Sequence, residues 1–145
     1  MFSAHNVAIY IINWCHQHDI FITNLKLQKL LYYVQGEFSR CRKKRLIADD
    51  FYAWQLGPVI PKVYYKYSVF SSAIIPSQLQ TKSFDQADSI IIDEALEKYA
   101  YQSTWSLVDL SHKQDPWKYN YEIFGSGALI PYETIQDFFS ANEGM

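Results

Sequence analysis

The stretch Thr23-Asn-Leu-Lys-Leu-Gln-Lys-Leu-Leu-Tyr-Tyr33 decides the fold, because its leucines are spaced like the buried stripe of an amphipathic helix. The stripe continues through Leu27, Leu30, Leu31, Val34, Phe38 and Cys41. Thr23 or Asn24 can cap the start of this helix. Gly36 lies inside the pattern, and we expect it to allow close approach of another backbone.

Helical spacing recurs on both sides of this stretch. We predict further helices over residues 3–18, about 58–70, 85 onward, 103–112 and 132–139. Ser3 can cap the first of them, and Asp85 favours the start of the long helix in the second half of the chain. Pro116 is expected to stop the helix that precedes it, and residues 118–131 are interpreted as a loop.

Shorter periods predict a small β element between the helices. Leu46-Ile47 and Phe51–Leu56 are the candidate strands, with a turn between them, and Gly57-Pro58 is expected to break the chain. The predicted class is therefore α+β and predominantly helical. We expect about five to six helices around one core, with an antiparallel β element near residues 46–56. Residues 1–145 contain no repeat or linker pattern and are interpreted as a single domain.

Composition restricts the cellular compartment and the classes of partner that we expect for this chain. The chain has 145 residues, of which 49% are hydrophobic, and its net charge of −2 provides no general attraction for nucleic acid or anionic membrane. It lacks a secretory signal pattern and an apolar run of roughly 20 residues that would span a bilayer. Two cysteines, Cys15 and Cys41, fit a reducing compartment. We therefore expect a cytoplasmic protein that does not bind membranes.

Patterns for catalysis and for cofactors are weak. Cys15 lies on an apolar stripe, which favours a core thiol over a nucleophile. His16 and His18 are two residues apart on a helix and face away from each other, so they do not form a metal site. Phosphate-binding and nucleophile-elbow motifs are absent from the sequence. We predict no metal, no cofactor and no enzymatic activity.

Two alternatives stay open. The cationic run Arg40-Cys-Arg-Lys-Lys-Arg45 is compatible with a DNA-binding regulator, although cations at a helix C-terminus are favourable in their own right. The other alternative is a small enzyme that uses His112 with lysine or aspartate partners.

Three segments of the sequence are not fully explained by generic core packing. Lys26, Lys29 and Tyr33 lie on a second face of the leucine-striped helix. Phe51–Pro61 is a strand-turn-helix junction with two prolines, and Leu110–Trp117 ends a helix with a lone histidine and a tryptophan. In this order, the three segments resemble the Panacea antitoxin domain family, which is also met among phage-associated proteins.

The resemblance implies a mostly helical domain with a small β element. It also implies an antitoxin of a type II toxin-antitoxin system that neutralises a cognate toxin by direct protein binding, without catalysis. The candidate residues for partner binding or for holding the fold are Lys26, Lys29, Tyr33, Trp54, Gly57, Pro58, Tyr64, His112, Pro116 and Trp117. We hypothesise that His112 and Trp117 hold the fold.

One position departs from the family pattern. Members often carry an acidic residue just before the Ala53-Trp54 pair, and here Tyr52 stands in that place. If the acid normally pairs with Lys26 or Lys29, this chain has lost or replaced the ion pair.

Overall fold

The leucine-striped segment becomes the central helix of a small helical protein. A computed structural model describes residues 1–80 and 82–142. Within these ranges the elements are α1 Ala4–Gln17, α2 Asn24–Arg42, β1 Phe51–Trp54, β2 Gly57–Val59, α3 Pro61–Tyr67, a 3-10 turn Ser68–Phe70, α4 Gln86–Tyr99, α5 Thr104–His112, α6 Asp115–Phe124, β3 Ala128–Ile130 and α7 Tyr132–Ala141. The α+β, predominantly helical class is confirmed.

Helix α2 is enclosed by the rest of the fold. It packs against α1, α3, α4, α5, α7 and β2. Its predicted stripe is buried from Leu27 to Phe38, but Cys41 at its end is exposed. The opposite side is buried as well, including Gln28, Lys29 and Gln35. A helix that is surrounded in this way needs a hydrogen-bond partner for every polar side chain that it carries.

The predicted capping residues start their helices. The Ser3 side chain accepts a hydrogen bond from the Asn6 N–H, and the Asp85 side chain accepts one from the Asp88 N–H. Thr23 is the N-cap of α2. The backbone is extended at each of these N-cap residues, so each helix begins at the residue that follows.

The sheet has three antiparallel strands in the order β2-β1-β3. Gly57 and Pro58, predicted as a break, are instead part of strand β2. The candidate strand Leu46-Ile47 makes only a single bridge, from Ile47 to Phe2. The Gln35 side chain takes the place of a partner strand there, because its oxygen accepts the N–H groups of Leu46 and Ile47.

Two predictions for the second half were wrong. Pro116 does not stop a helix but lies in the first turn of α6. The N–H groups of a first turn have no partner within the helix, so proline loses no hydrogen bond there. Residues 118–131, interpreted as a loop, contain most of α6 and all of β3. The described residues therefore hold seven helices, more than the five to six predicted.

Gly36 allows a close approach, but by a ring and not by a backbone. A Cβ at this position would collide with the buried Phe139 ring of α7. Phe139 also packs edge-on against the Tyr32 and Tyr33 rings. The glycine therefore lets α7 lie directly on α2 in the aromatic core.

Candidate functional site

Most of the predicted site residues meet at the β1–β2 hairpin. Trp54 ends β1 and pairs with Gly57, which begins β2 with a positive φ of 111°. A Cβ on Gly57 would lie 2.7 Å from the Ser111 hydroxyl and 2.9 Å from Lys29 Cε. The glycine therefore lets the hairpin enter the space between α2 and α5.

Lys29 anchors this hairpin from below. Its side chain is completely buried, and Nζ donates a hydrogen bond of 2.6 Å to the Pro58 carbonyl. Burial lowers the pKa of Lys29 from its usual value of 10.5 to about 7, since the charged amine loses its water. The neutral amine that prevails above that pH can still donate a hydrogen bond to Pro58.

The lowered pKa of Lys29 predicts that the protein becomes more stable as pH rises from 7 to about 8.5. In this window the unfolded chain keeps the proton that folded Lys29 increasingly lacks, so the free energy of unfolding rises with pH, by on the order of 1 kcal/mol per pH unit. Lys26, whose pKa burial also lowers, acts in the same direction. Urea titrations at a series of pH values measure this slope.

Cys15 and Tyr33 set the upper limit of the window. Burial raises the pKa of Cys15 to about 11 and the pKa of Tyr33 above its usual 10.0, so the thiol reduces stability as pH rises beyond its ordinary value of 9.0 and the phenol does so beyond 10.0. Lys29→Met should flatten the profile between pH 7 and about 8.5, whereas Lys44→Met at an exposed position should leave it unchanged. An identical slope in Lys29→Met would contradict the assignment.

A stack of three rings closes the other side of the hairpin. The His112 and Trp117 rings are 4.1 Å apart, and Tyr121 stacks on the far face of Trp117 at 4.5 Å. Trp117 Nε1 donates a hydrogen bond of 2.7 Å to the Trp54 carbonyl. The stack therefore joins the α5–α6 corner to the tip of the hairpin.

His112 is part of this packing. Burial lowers the pKa of His112 below its usual value, the nearby Lys29 charge adds to the effect, and a hydrogen bond to the Gln55 backbone opposes it. Its Nε2 is buried without a hydrogen-bond partner among residues 1–80 and 82–142. These contacts support the hypothesis that His112 and Trp117 hold the fold.

A groove of about 800 Å³ opens beside the hairpin. Trp54 and Tyr64 line it, with their rings packed edge to face at 5.0 Å. Leu25 of α2 and Trp105 of α5 form the other sides. The candidate residues Trp54 and Tyr64 connect the groove to the hairpin.

Sequence reasoning missed the amides behind the groove. Gln28 Nε2 donates to Asn24 Oδ1, and Gln28 Oε1 accepts the Ile60 N–H at 3.0 Å. The Asn24 amide donates to the Tyr64 carbonyl. A signal was available, because Gln28 and Gln35 are seven residues apart and therefore lie on one side of α2.

Three candidate residues lie away from the hairpin. Tyr33 donates to the Leu107 carbonyl and stacks on Tyr99 at 4.4 Å, inside the aromatic core. Lys26 is buried near Cys15, toward α1. Pro116 is buried at the start of α6. The second helix face, with Lys26, Lys29 and Tyr33, is therefore an interior one.

The structure corrects the expected role of the position before Ala53. Phe51 and Ala53 point into the core, so Tyr52 points to the opposite side of the strand. It lines a shallow cleft with Lys62, whereas Lys29 bonds the hairpin on the buried side. A carboxylate at position 52 would line the same cleft as Lys62, on the side of the strand away from Lys29.

The three arginines of the cationic run are engaged within the protein, while Lys43 and Lys44 are exposed. Arg40 contacts Glu37 at 2.9 Å, and Arg42 contacts Asp88 at 3.3 Å. Arg45 pairs with Asp50 and donates to the Ile47, Ala48 and Asp49 carbonyls. Arg42 therefore links the end of α2 to α4, whereas Arg40 pairs within α2 and Arg45 holds the segment that follows the helix.

Residues 1–80 and 82–142 carry neither a metal cluster nor a helix that could span a membrane. In this part of the chain, no three His, Cys, Asp or Glu side chains converge as metal ligands would. None of the helices described there combines the length and apolarity that crossing a bilayer requires.

Comparison with known proteins assigns the family. The profile of the family described as "Antitoxin SocA-like, Panacea domain" matches residues 27–118. This chain belongs to that family of antitoxins. The matched part of the Panacea domain contains the hairpin, the groove residues from Gln28 to Trp105 and the ring pair His112–Trp117, while Lys26 lies just before it.

A curated relative agrees with the assignment. The Panacea chain is 42% identical over 66 residues to Antitoxin SocA of Caulobacter vibrioides strain NA1000 / CB15N. The alignment covers 46% of this chain and 35% of that protein, about a third of its length. No solved structure matches this Panacea domain chain.

Proposed function

We propose that this Panacea domain protein neutralises a cognate toxin by direct protein–protein binding in the cytoplasm. The observation that carries the proposal is the family match over residues 27–118. Neutralisation by contact needs a stable fold with an accessible binding surface, and it needs no catalytic group on the antitoxin.

The arrangement of the candidate residues favours binding over catalysis. His112 is stacked between α5 and α6 and does not line the groove. Lys29 is completely buried, and its amine bonds a backbone carbonyl. A general base must reach the proton that it removes, whereas the Lys29 side chain and the Nε2 atom of His112 are both buried.

The geometry of the cationic run also gives little support to a DNA-binding regulator. Phosphate contacts need lysine and arginine side chains that are free to replace the counterions of the nucleic acid. Arg42 and Arg45 instead pair with Asp88 and Asp50 of the same chain. A protein surface is therefore the partner that the structure favours.

A growth assay tests the proposal. The reading frame adjacent to the gene is expressed alone and then together with this protein. We expect the neighbour to arrest growth and the pair to grow normally, and we expect the two purified proteins to co-elute at 1:1 or another fixed ratio. A harmless neighbour, or toxicity that persists despite soluble antitoxin, would refute the proposal.

A further inference from the structure

The groove beside the hairpin has the properties of a docking surface. Its apolar walls come from Leu25, Trp54, Leu56, Val59, Tyr64 and Trp105, and the other described lining residues are uncharged serine, threonine, asparagine and glutamine side chains. Among the described residues that line it, none carries a formal charge. An uncharged, ring-rich groove binds apolar side chains and gives no attraction to a polyanion.

Two side chains at the rim are exposed although they are apolar. Trp105 is 60% exposed and Leu56 is 37% exposed. Tyr65, which is 65% exposed, extends the surface beyond the groove by packing on Trp54 and Tyr64. Tryptophan and tyrosine are the residues that most often anchor protein interfaces, because they bury a large area at a low entropy cost.

The walls of the groove are held in place before any partner arrives. Asn24 and Gln28 link α2 to the Tyr64 carbonyl and to the Ile60 N–H. The Trp54 carbonyl is fixed by the indole of Trp117. A preformed surface loses little conformational entropy on binding, which favours affinity.

We infer that the groove is where the toxin docks, and that it takes an uncharged, apolar segment of the toxin chain. This inference rests on the proposed function and adds the location of the contact. The lack of charge in the lining selects an apolar protein segment. Most of the described lining residues lie within residues 27–118, the part shared with the antitoxin family, while Thr23, Asn24 and Leu25 precede it.

Point variants at the rim test the site. We expect Trp105→Asp and Leu56→Asp each to weaken binding of the neighbouring gene product by about 30-fold or more, because a carboxylate would be buried in an uncharged interface. Trp105→Phe should retain most of the affinity. Binding is measured by calorimetry with the purified neighbour, and growth rescue is scored in parallel.

A matched control lies on α6. Tyr119 is 58% exposed, close to the exposure of Trp105, and it packs near Phe124 and not at the groove. Tyr119→Asp should bind the neighbour like the wild type. Thermal midpoints of all four variants should stay close to the wild-type value, since surface substitutions usually change stability by less than about 0.5 kcal/mol.

The outcomes separate the two proposals. If the wild type neither binds nor neutralises its neighbour, the proposed function fails and the docking site fails with it. If the wild type neutralises and both groove variants bind equally well, the docking site is wrong while the function stands, and loss of binding in Tyr119→Asp would place the contact on α6. If Trp105→Asp only converts a dimer into a monomer, the groove binds a second copy, which also overturns the inference.

Discussion

Replacing Trp117 by alanine is expected to lower the free energy of unfolding by about 3–5 kcal/mol, the usual cost of removing a buried tryptophan. Trp117 is 7% exposed and lies between the His112 and Tyr121 rings. Its loss also leaves the Trp54 carbonyl without the indole donor. Urea unfolding followed by circular dichroism measures the change.

Two variants separate the contributions at this position. Trp117→Phe keeps a ring in the stack but removes the Nε1 donor, so it should cost about 1–2 kcal/mol. Trp105→Ala removes an indole of the same size from an exposed place and should stay within about 0.5 kcal/mol of the wild type. Equal stabilities for Trp117→Ala and Trp105→Ala would show that the stack does not hold the fold.

Gly57→Ala is expected to destabilise the protein by about 2–6 kcal/mol through two separate effects. The φ of 111° strains any residue with a Cβ, by about 1–3 kcal/mol. The new methyl group would also lie 2.7 Å from the Ser111 hydroxyl and 2.9 Å from Lys29 Cε, and overpacking of this kind costs about 1–3 kcal/mol more. Chemical denaturation of both proteins gives the difference.

Gly125→Ala is the matched control for Gly57. Gly125 has a similar φ of 90°, yet nothing lies within 4 Å of its added Cβ. It should therefore show the backbone strain without the collision, and the difference between the two variants measures the collision alone. If both variants lose the same stability, the hairpin does not need the close approach to Lys29 and Ser111.

Local signals in the sequence predicted the framework well. The spacing from Leu27 to Phe38 identified α2, and Ser3 and Asp85 marked helix starts, because periodicity and capping depend on a few neighbouring residues. The same reasoning predicted a buried Cys15. Each of these features is set by chemistry within one or two turns of the chain.

Features that depend on distant contacts were missed or misjudged. Pro116 is compatible with both the end of one helix and the start of the next, and tertiary packing decides between them. Strand β3 has three residues and forms only because β1 lies beside it. Pattern alone did not reveal that partner, since the two strands are far apart in sequence.

The sequence predicted which residues belong to the candidate site, but it did not predict where they lie in the fold. Lys29, Gly57, Pro58, His112 and Trp117 do come together around the hairpin. Their burial did not follow from the helical wheel, which assigns one apolar side to α2 and leaves Lys29 on a second face. That face is interior because α5 and the hairpin cover it, which is a property of the assembled fold.

The enclosure of α2 separates what this protein binds from what keeps it folded. Gln28, Lys29 and Gln35 hydrogen-bond the protein's own backbone or side chains, so these polar side chains of α2 face inward. Exposed residues such as Trp105 take no part in those bonds. Substitutions at exposed residues can therefore create contacts to new partners while the interior stays the same. Each such substitution changes the free energy of unfolding little.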